Sequence, residues 1–306
     1  MTTDYDVVIA GAGPVGLWLA GELQLAGVRT AVLERLETPN PNPKALGLQP
    51  RTLEVFAMRG LDTPYPFVLA LPQVRTEALL EERANGLGAR ILRGREVTGL
   101  TEDEASVTVE LADGGTLSGR YLVGADGSGS TVRRAAGIDF VGSDSTVFGF
   151  LGDVVLDDPP PMGATFYNEY GAVLTAPIPG GLVRVSGYDA TDQVPGRREV
   201  TCEELRATAI RIAGTDFGMR DPRWLSRFGN ATRHAETYRA DVAEHTLAQT
   251  ALIAGHPSMP PAVTAPELGD ATAAVVRPDG YVWWATDSAN PDEEIKAAPA
   301  ELGTTF

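Results

Sequence analysis

Three glycines and one acid near the N-terminus have the types and spacing of a nucleotide-binding turn. Gly11, Gly13 and Gly16 form the pattern G-x-G-x-x-G. Gly11 permits a tight turn, Gly13 lets a pyrophosphate approach the backbone, and Gly16 lets a helix pack closely on a strand. Glu34 follows Gly16 by 18 residues, at the spacing where a carboxylate binds ribose hydroxyls. Because an acid repels a 2′-phosphate, the pattern indicates FAD or NAD rather than NADP.

The flanking segments have the periodicities needed to position this turn. Residues 6–10 and 30–33 are short apolar, β-branched runs typical of buried strands. From Pro14 onwards the apolar residues recur at helical spacing until Gly27 ends the helix. Pro14 and Val15 therefore lie at a helix N-terminus, whose N–H groups attract phosphate. The order of strand, turn, helix, strand and terminal acid distinguishes this turn from an ordinary glycine-rich turn.

The remaining pattern predicts an α/β protein with a sheet-rich second region. Helices are expected at 51–59, 76–85 and 203–213, and strands at 106–111, 121–124, 273–276 and 281–285, with several more between 147 and 188. Proline-rich residues 256–266 indicate a linker. We predict an FAD-binding domain at 1–140, a substrate-binding sheet domain of α+β type at 141–239, and a C-terminal remnant at 240–306.

Composition excludes several classes of partner. The chain has 306 residues and a formal net charge of −16, which argues against nucleic acid and against anionic membranes. Cys202 is the only cysteine, so no internal disulfide can form, and its acidic neighbours give no reason for a reactive thiol. The N-terminus has no signal-peptide pattern and no apolar run reaches membrane-spanning length. These features predict a cytoplasmic protein.

Several ordered motifs resemble the class A flavoprotein monooxygenases, the single-component FAD hydroxylases that include p-hydroxybenzoate hydroxylase. The closer resemblance is to hydroxylases of aromatic polyketide and antibiotic biosynthesis. The matching segments are residues 34–35, 44–48, 51–54, 72–77, 126–133, 228–233, 238–239 and 276–282. The resemblance covers most of residues 1–239 and a patch near 267–286. It implies a Rossmann-like FAD-binding domain of the GR2 type, a βαβ unit with a β-meander.

The resemblance also implies the members of the cofactor site. Gln73 stands at a pyrophosphate-binding position, and Asp126-Gly127 matches a turn that contacts FAD and also serves the nicotinamide. Lys44 or Arg51 could neutralise the pyrophosphate, with solvated surface charges as the alternative interpretation. The full predicted FAD-binding set is Gly11, Gly13, Pro14, Val15, Gly16, Glu34, Arg35, Lys44, Arg51, Gln73, Val97, Asp126, Gly127 and Arg133. No catalytic side chain and no metal ligand is predicted.

One family segment is not recognisable. In these hydroxylases a Gly-Asp segment after the position of Tyr238-Arg239 binds the ribityl chain and begins a helix that faces the flavin. Here residues 252–260 resemble it faintly, with His256 in place of the acid, and we interpret them as linker. The chain resembles a family member with internal segments missing. We therefore expect weaker FAD binding and poorer turnover than in full-length relatives.

The functional hypotheses differ in what the site does. The leading one is an NAD(P)H- and O2-dependent FAD hydroxylase of a small phenolic or polyketide aromatic substrate, with NADPH or NADH as a transient reductant. The alternatives are a catalytically silent FAD- or ligand-binding homologue and a plain NAD-dependent dehydrogenase, which Gln73 and Asp126-Gly127 disfavour. The oligomeric state stays open, with a homodimer among the options.

Other candidate residues have ordinary explanations. His234, His245 and His256 are 11 residues apart, a spacing that fits no common metal site. A group of aromatic side chains fits a substrate pocket and ordinary core packing equally well. These are Phe148, Phe150, Phe166, Tyr167 and Tyr170.

Overall fold

The computed structural model describes residues 3–42, 44–61, 67–103, 105–193 and 199–237, together with the backbone of three later strands. Its contacts divide the chain into two units. One comprises Met1–Asp139 with Thr237–Phe306, and the other comprises Phe140–Glu236. The three-domain division expected from the sequence stays a prediction.

The first unit contains one large sheet with helices along it. Its strands are β1 Tyr5–Ala10, β2 Thr30–Glu34, β5 Arg90–Arg93, β6 Val97–Glu102, β7 Val107–Leu111 and β8 Thr116–Gly124. A separate short ladder pairs β3 Gly47–Leu48 with β4 Leu69–Ala70. The helices are α1 Pro14–Leu25, α2 Pro50–Ala57, α3 Gln73–Gly86 and α4 Thr131–Ala135.

The large sheet has the predicted Rossmann-like arrangement. Its strand order is β5-β2-β1-β8-β7-β6. The first four strands run parallel, and β8, β7 and β6 form an antiparallel meander. The chain passes from β1 through α1 to β2, so the expected βαβ unit with a β-meander is confirmed. The carboxyl ends of parallel strands lie at one edge of a sheet, which is where such folds bind ligands.

Burial on both faces explains why β1 is a continuous apolar run. Val7, Val8 and Ile9 are each 2% exposed or less. Ile9 belongs to a cluster with residues of α1 and α3, and Trp18 of α1 stacks on Phe56 of α2 with ring centroids 5.2 Å apart. Val8 belongs to the second cluster, which includes residues of β2 and β7. The strand that leads into the glycine turn is therefore held from both sides.

The second unit is a sheet with one covering helix. Its main strands are β10 Phe148–Leu156, β11 Thr165–Asn168, β12 Gly171–Ile178, β13 Leu182–Asp189 and β14 Met219–Gly229, in the order β11-β12-β13-β10-β14. A smaller ladder joins β9 Phe140–Ser143 to β15 Thr232–Ala235. The helix α5 Cys202–Ala213 begins with a capping box made by Thr201 and Glu204 and ends at Gly214 in the left-handed conformation.

The last three strands form an antiparallel sheet of their own, ordered β16-β17-β18. They are β16 Ala251–Ala254, β17 Ala273–Val276 and β18 Val282–Thr286. The predicted strand at 273–276 is confirmed, and the one expected at 281–285 begins one residue later. Residues 251–254 form a strand, so interpreting the whole of 252–260 as linker was wrong at its start. The linker predicted at 256–266 lies outside the described residues.

Candidate functional site

The turn after β1 requires glycine at its first position. Gly11 has a φ of +105°, and a Cβ there would overlap the carbonyl oxygen of Ala125. Its N–H donates to the carbonyl of Leu33 at 2.7 Å, which ties the turn to β2. A Cβ on Gly16 would overlap the carbonyl oxygen of Gly11. Both glycines therefore serve the close packing of helix, turn and strand.

Gly13 is glycine for a different reason. It precedes the first residue of α1, and a Cβ built on it would meet no atom within 4 Å. No side chain caps this helix end, Pro14 occupies its first position, and Val15 is 72% exposed. The helix N-terminus thus presents its N–H groups and partial positive charge to open space. The geometry fits an anionic group such as the pyrophosphate of FAD.

Glu34 lies at the end of β2 and is attached to the glycine turn. One carboxylate oxygen accepts the N–H of Ala12 at 2.9 Å, and the other accepts the N–H of Leu36 at 2.9 Å. Each carboxylate oxygen has a further lone pair, so the group can still accept hydrogen bonds from ribose hydroxyls. The sequence predicted the ribose role, whereas the bond to Ala12 is a second role that spacing alone did not indicate.

Asp126 and Gly127 follow β8, the strand next to β1, and the structure places them beside the glycine turn. The Ala125 N–H donates to the carbonyl of Ala10 at 2.8 Å, and Gly127 has a φ of +81°. One oxygen of Asp126 accepts the N–H groups of Thr131 and Val132 at 2.7 and 3.2 Å. Its other oxygen is buried and has no hydrogen-bond partner among the described residues. A buried acceptor of this kind needs a donor, which a ligand hydroxyl or amide would provide.

Gln73 and the 44–45 segment are joined to each other. Gln73 begins α3, and its side-chain oxygen accepts the N–H of Ala45 at 3.2 Å. Lys44 is exposed. Arg51, in the first turn of α2, forms an ion pair with Glu54 at 2.6 Å. Part of the Arg51 charge is therefore compensated within its own helix.

Two predicted residues have structural contacts of their own, and a third is exposed. Arg133 donates to the carbonyl of Ile138 at 2.8 Å, and so closes the turn after α4. Val97 packs against the cluster that contains Val8, so its side chain belongs to the core. Arg35 follows β2 directly and is exposed. The structure thus gathers Gly11, Gly13, Pro14, Val15, Gly16, Glu34, Asp126 and Gly127 around one edge of the sheet.

The five aromatic side chains that fit either a substrate pocket or the core lie in different environments. Phe150 is buried in the core of the second unit, and Phe166 packs there against Phe217 with ring centroids 5.5 Å apart. Tyr167 is 82% exposed. Phe148 and Phe150 line a small cavity together with polar side chains, including Asp189 and Arg227. These residues do not form one shared aromatic pocket.

A buried ion pair in the second unit was missed by the sequence analysis. Asp153 on β10 lies opposite Arg184 on β13, and the two side chains bond at 2.7 and 2.8 Å. Each side chain is 5% exposed. The Arg184 guanidinium also lies 5.1 Å from the ring centroid of Trp224. An acid inside the apolar run of β10 was the available signal.

The other expectations concern reactivity, metals and membranes. Burial raises the pKa of the Cys202 thiol, as expected for an unreactive cysteine. Among the residues that the structure describes, no cluster of three or more His, Cys, Asp or Glu could hold a metal. Of the three histidines considered as metal ligands, His234 lies on β15, and His245 and His256 lie outside the described residues. In the searched part of the chain, no helix combines the length and apolarity needed to cross a membrane.

Comparison with known proteins decides the family. The family model described as the FAD binding domain matches residues 4–65 and 61–243. The chain belongs to this family. FAD is therefore the cofactor of this FAD-binding domain, and the resemblance to class A flavoprotein monooxygenases is confirmed.

Individual relatives give the same assignment. The chain is 44% identical over 275 residues to the uncharacterized aromatic compound monooxygenase YhjG of Bacillus subtilis, covering 78% of this chain and 55% of that protein. It is 41% identical over 272 residues to a rifampicin monooxygenase of Streptomyces venezuelae, covering 78% and 56%. Among solved structures, OxyS anhydrotetracycline hydroxylase from Streptomyces rimosus matches with a TM-score of 0.66 and 41% identity, covering 77% and 54%. The chain spans about half the length of the curated relatives it matches.

Proposed function

We propose that this protein is an FAD-dependent monooxygenase that hydroxylates a phenolic or polyketide aromatic substrate with NAD(P)H and O2. The observation that carries the proposal is the convergence of three features at the carboxyl ends of β1, β2 and β8. These features are the open helix N-terminus at Gly13, the carboxylate of Glu34 and the buried unpaired oxygen of Asp126. The helix N-terminus carries the partial positive charge that a pyrophosphate requires. The two carboxylates can accept hydrogen bonds from the hydroxyl or amide groups of FAD.

In the proposed complex each group binds a different part of the cofactor. The N–H groups after Gly13 receive the pyrophosphate, because the helix dipole adds positive charge there. Glu34 accepts hydrogen bonds from the ribose hydroxyls. It also keeps the turn in place by accepting a hydrogen bond from the N–H of Ala12. Asp126 accepts a donor from the ligand while its other oxygen caps α4. When bound, FAD supplies electron transfer from NAD(P)H and the delivery of one oxygen atom to the substrate.

The substrate class is supported by the relatives. Two of those described above act on rifampicin and anhydrotetracycline according to their names, and the third is named as an aromatic compound monooxygenase. We assign FAD binding to residues 1–140 and substrate binding to residues 141–239. We also propose a cytoplasmic location, supported by the single cysteine. The oligomeric state stays open between a monomer and a homodimer, which light scattering of the purified protein would distinguish.

Oxygen consumption tests the function directly. The purified chain is supplied with FAD and NADPH or NADH, and O2 uptake is measured with and without anhydrotetracycline or rifampicin. We expect substrate-dependent uptake and a product that is heavier by one oxygen atom, with Gly13→Val as the inactive control. Hydrogen peroxide is measured in parallel, because O2 that is not transferred to substrate appears there.

The outcomes separate the competing hypotheses. If the chain binds FAD but no compound in a broad panel of aromatic substrates increases O2 uptake, the result would support the catalytically silent homologue. Failure to bind FAD, together with binding of NAD, would support the dehydrogenase and overturn the proposal.

A further inference from the structure

An arginine lies on the strand next to the carboxylate that is proposed to bind ribose. Arg93 is the last residue of β5, and it pairs in register with Glu34, the last residue of β2. Paired residues on neighbouring strands are about 5 Å apart, and their side chains point to the same face of the sheet. Val32 and Ile91, each two residues earlier, lie in or against the cluster formed with α1 and α3. Both charged side chains therefore start from the face that carries these helices.

Arg93 is held to α3 by one edge of its guanidinium. Its Nε and Nη2 donate to the two carboxylate oxygens of Glu81 at 3.1 and 2.6 Å. The Arg93 side chain is 19% exposed, and its Nη1 has no acceptor within the described part of the chain. An arginine has five N–H donors. A half-used, mostly buried guanidinium of this kind can still donate to a ligand.

The charges around Arg93 keep the guanidinium ionised and link it to Glu34. Its hydrogen bonds to Glu81 are the main cause that raises the pKa of Arg93, burial opposes them, and the charges of Glu81, Glu34 and Glu77 add to them. Glu34 and Arg93 are both described, and neither side chain bonds to the other. An acceptor and a donor thus stand side by side. A hydroxyl can donate to the first and accept from the second at the same time.

We propose that Arg93 is a further cofactor-binding residue, whose Nη1 donates a hydrogen bond to a hydroxyl of the adenosine ribose while Glu34 accepts the proton of that hydroxyl. Glu81 is then a positioning residue, because it orients the guanidinium. The inference rests on the proposed function, since it takes the ribose to be that of FAD. It adds a donor to a part of the site in which the sequence indicated only the acceptor Glu34.

Ligands that lack one hydroxyl distinguish a ribose contact from a structural role. The wild type and Arg93→Met, which removes the charge but keeps a long side chain, are titrated by calorimetry with ADP, 2′-deoxy-ADP and 3′-deoxy-ADP. We expect Arg93→Met to bind ADP about tenfold more weakly, the loss of one hydrogen bond to a charged group. The deoxy ligand that lacks the contacted hydroxyl should bind the variant and the wild type within about twofold of each other.

Two further variants serve as controls. Arg95→Met removes an exposed arginine that pairs with Asp113, and should bind all three ligands as the wild type does. Arg93→Lys keeps a positive charge to pair with Glu81, so we expect it to stay folded in thermal unfolding. It should still lose the tenfold dependence on the hydroxyl, because an ammonium has no second edge in a fixed plane.

The outcomes separate this inference from the proposed function. Equal weakening of ADP and both deoxy ligands in the two Arg93 variants would show only a structural tie between β5 and α3. That result, or unchanged affinity for every ligand, would overturn the inference and leave the proposed function standing. Failure of the wild type to bind FAD would contradict the proposed function, and failure to bind ADP as well would contradict the inference with it.

Discussion

At the scale of single residues, the three glycines of the turn after β1 differ in what a side chain would meet. At Gly11 and Gly16 a Cβ overlaps backbone carbonyl oxygens, whereas at Gly13 it enters open space. The first two glycines are therefore needed by the fold itself. The fold places no such demand on Gly13, and in the proposed complex this residue leaves room for the pyrophosphate at the helix N-terminus. It is therefore the residue at which binding and folding can be separated.

We predict that Gly13→Val abolishes FAD binding while the protein stays folded. The valine side chain fills the space where the pyrophosphate approaches, and a poor residue before the helix costs about 1 kcal/mol of stability. Gly16→Ala is the matched control, because its methyl group overlaps the Gly11 carbonyl and should reduce stability and binding together. Thermal unfolding and FAD fluorescence titration measure the two effects. Flavin retained by Gly13→Val would show that this glycine has no ligand role.

Glu34→Ala should weaken FAD binding by about 1–3 kcal/mol, because buried ribose hydroxyls and the Ala12 N–H lose their acceptor. Glu82→Ala removes an exposed acid on α3 and should leave affinity unchanged. The measurement is a parallel titration of the two variants and the wild type. Equal affinity in the Glu34 variant would remove this residue from the cofactor site.

The sequence predicted those residues whose role follows from backbone conformation and strand order. Gly11, Gly16 and Glu34 are of this kind, because a strand, a turn and a helix in succession leave few alternatives. The contacts of Arg133 with Ile138 and of Val97 with the core could not be predicted. They depend on how the chain folds back after each element, which local spacing does not encode.

At the scale of elements, the cofactor site depends on parallel strands that end together. β1 pairs with both β2 and β8, so the turn, Glu34 and Asp126 meet although they are far apart in sequence. Periodicity predicted β1 and β2 well, since each is a buried apolar run. It predicted only residues 121–124 of β8, because the earlier part of that strand is mixed in polarity and only partly buried. The helix predicted at 76–85 begins three residues earlier in the structure, at Gln73. Gln73 is polar and follows Pro72, so it adds nothing to the apolar periodicity on which the prediction was based.

The buried pair Asp153–Arg184 joins β10 to β13 in the sheet of the second unit, and removing one partner should be costly. We predict that Asp153→Ala lowers the free energy of unfolding by about 3–5 kcal/mol, because a buried guanidinium loses its partner. Asp157→Ala breaks the exposed pair with Arg220, in which the side chains are 60% and 49% exposed, and should change stability by less than about 1 kcal/mol. Urea unfolding followed by tryptophan fluorescence compares them. Equal losses of unfolding free energy in the two variants would contradict the claim that burial makes the Asp153–Arg184 pair costly to break.

At the scale of the whole molecule, the net charge of −16 opposes the approach of an anionic cofactor. We predict that FAD associates faster as salt rises from about 0.01 to 0.1 M, because the Debye length falls from about 30 to about 10 Å and screens this repulsion. Stopped-flow fluorescence measures the association rate. A rate that falls with salt would show that local cations such as Lys44 dominate the field instead.

The central claim is that the chain holds FAD by its ADP half, and a competition titration tests it most directly. FAD, ADP and riboflavin are titrated against the purified protein, with Gly13→Val in parallel. In the proposed complex the glycine turn and Glu34 contact only groups that FAD shares with ADP, so ADP should displace FAD and riboflavin should bind weakly or not at all. Riboflavin binding as tightly as FAD, with no competition from ADP, would contradict the account.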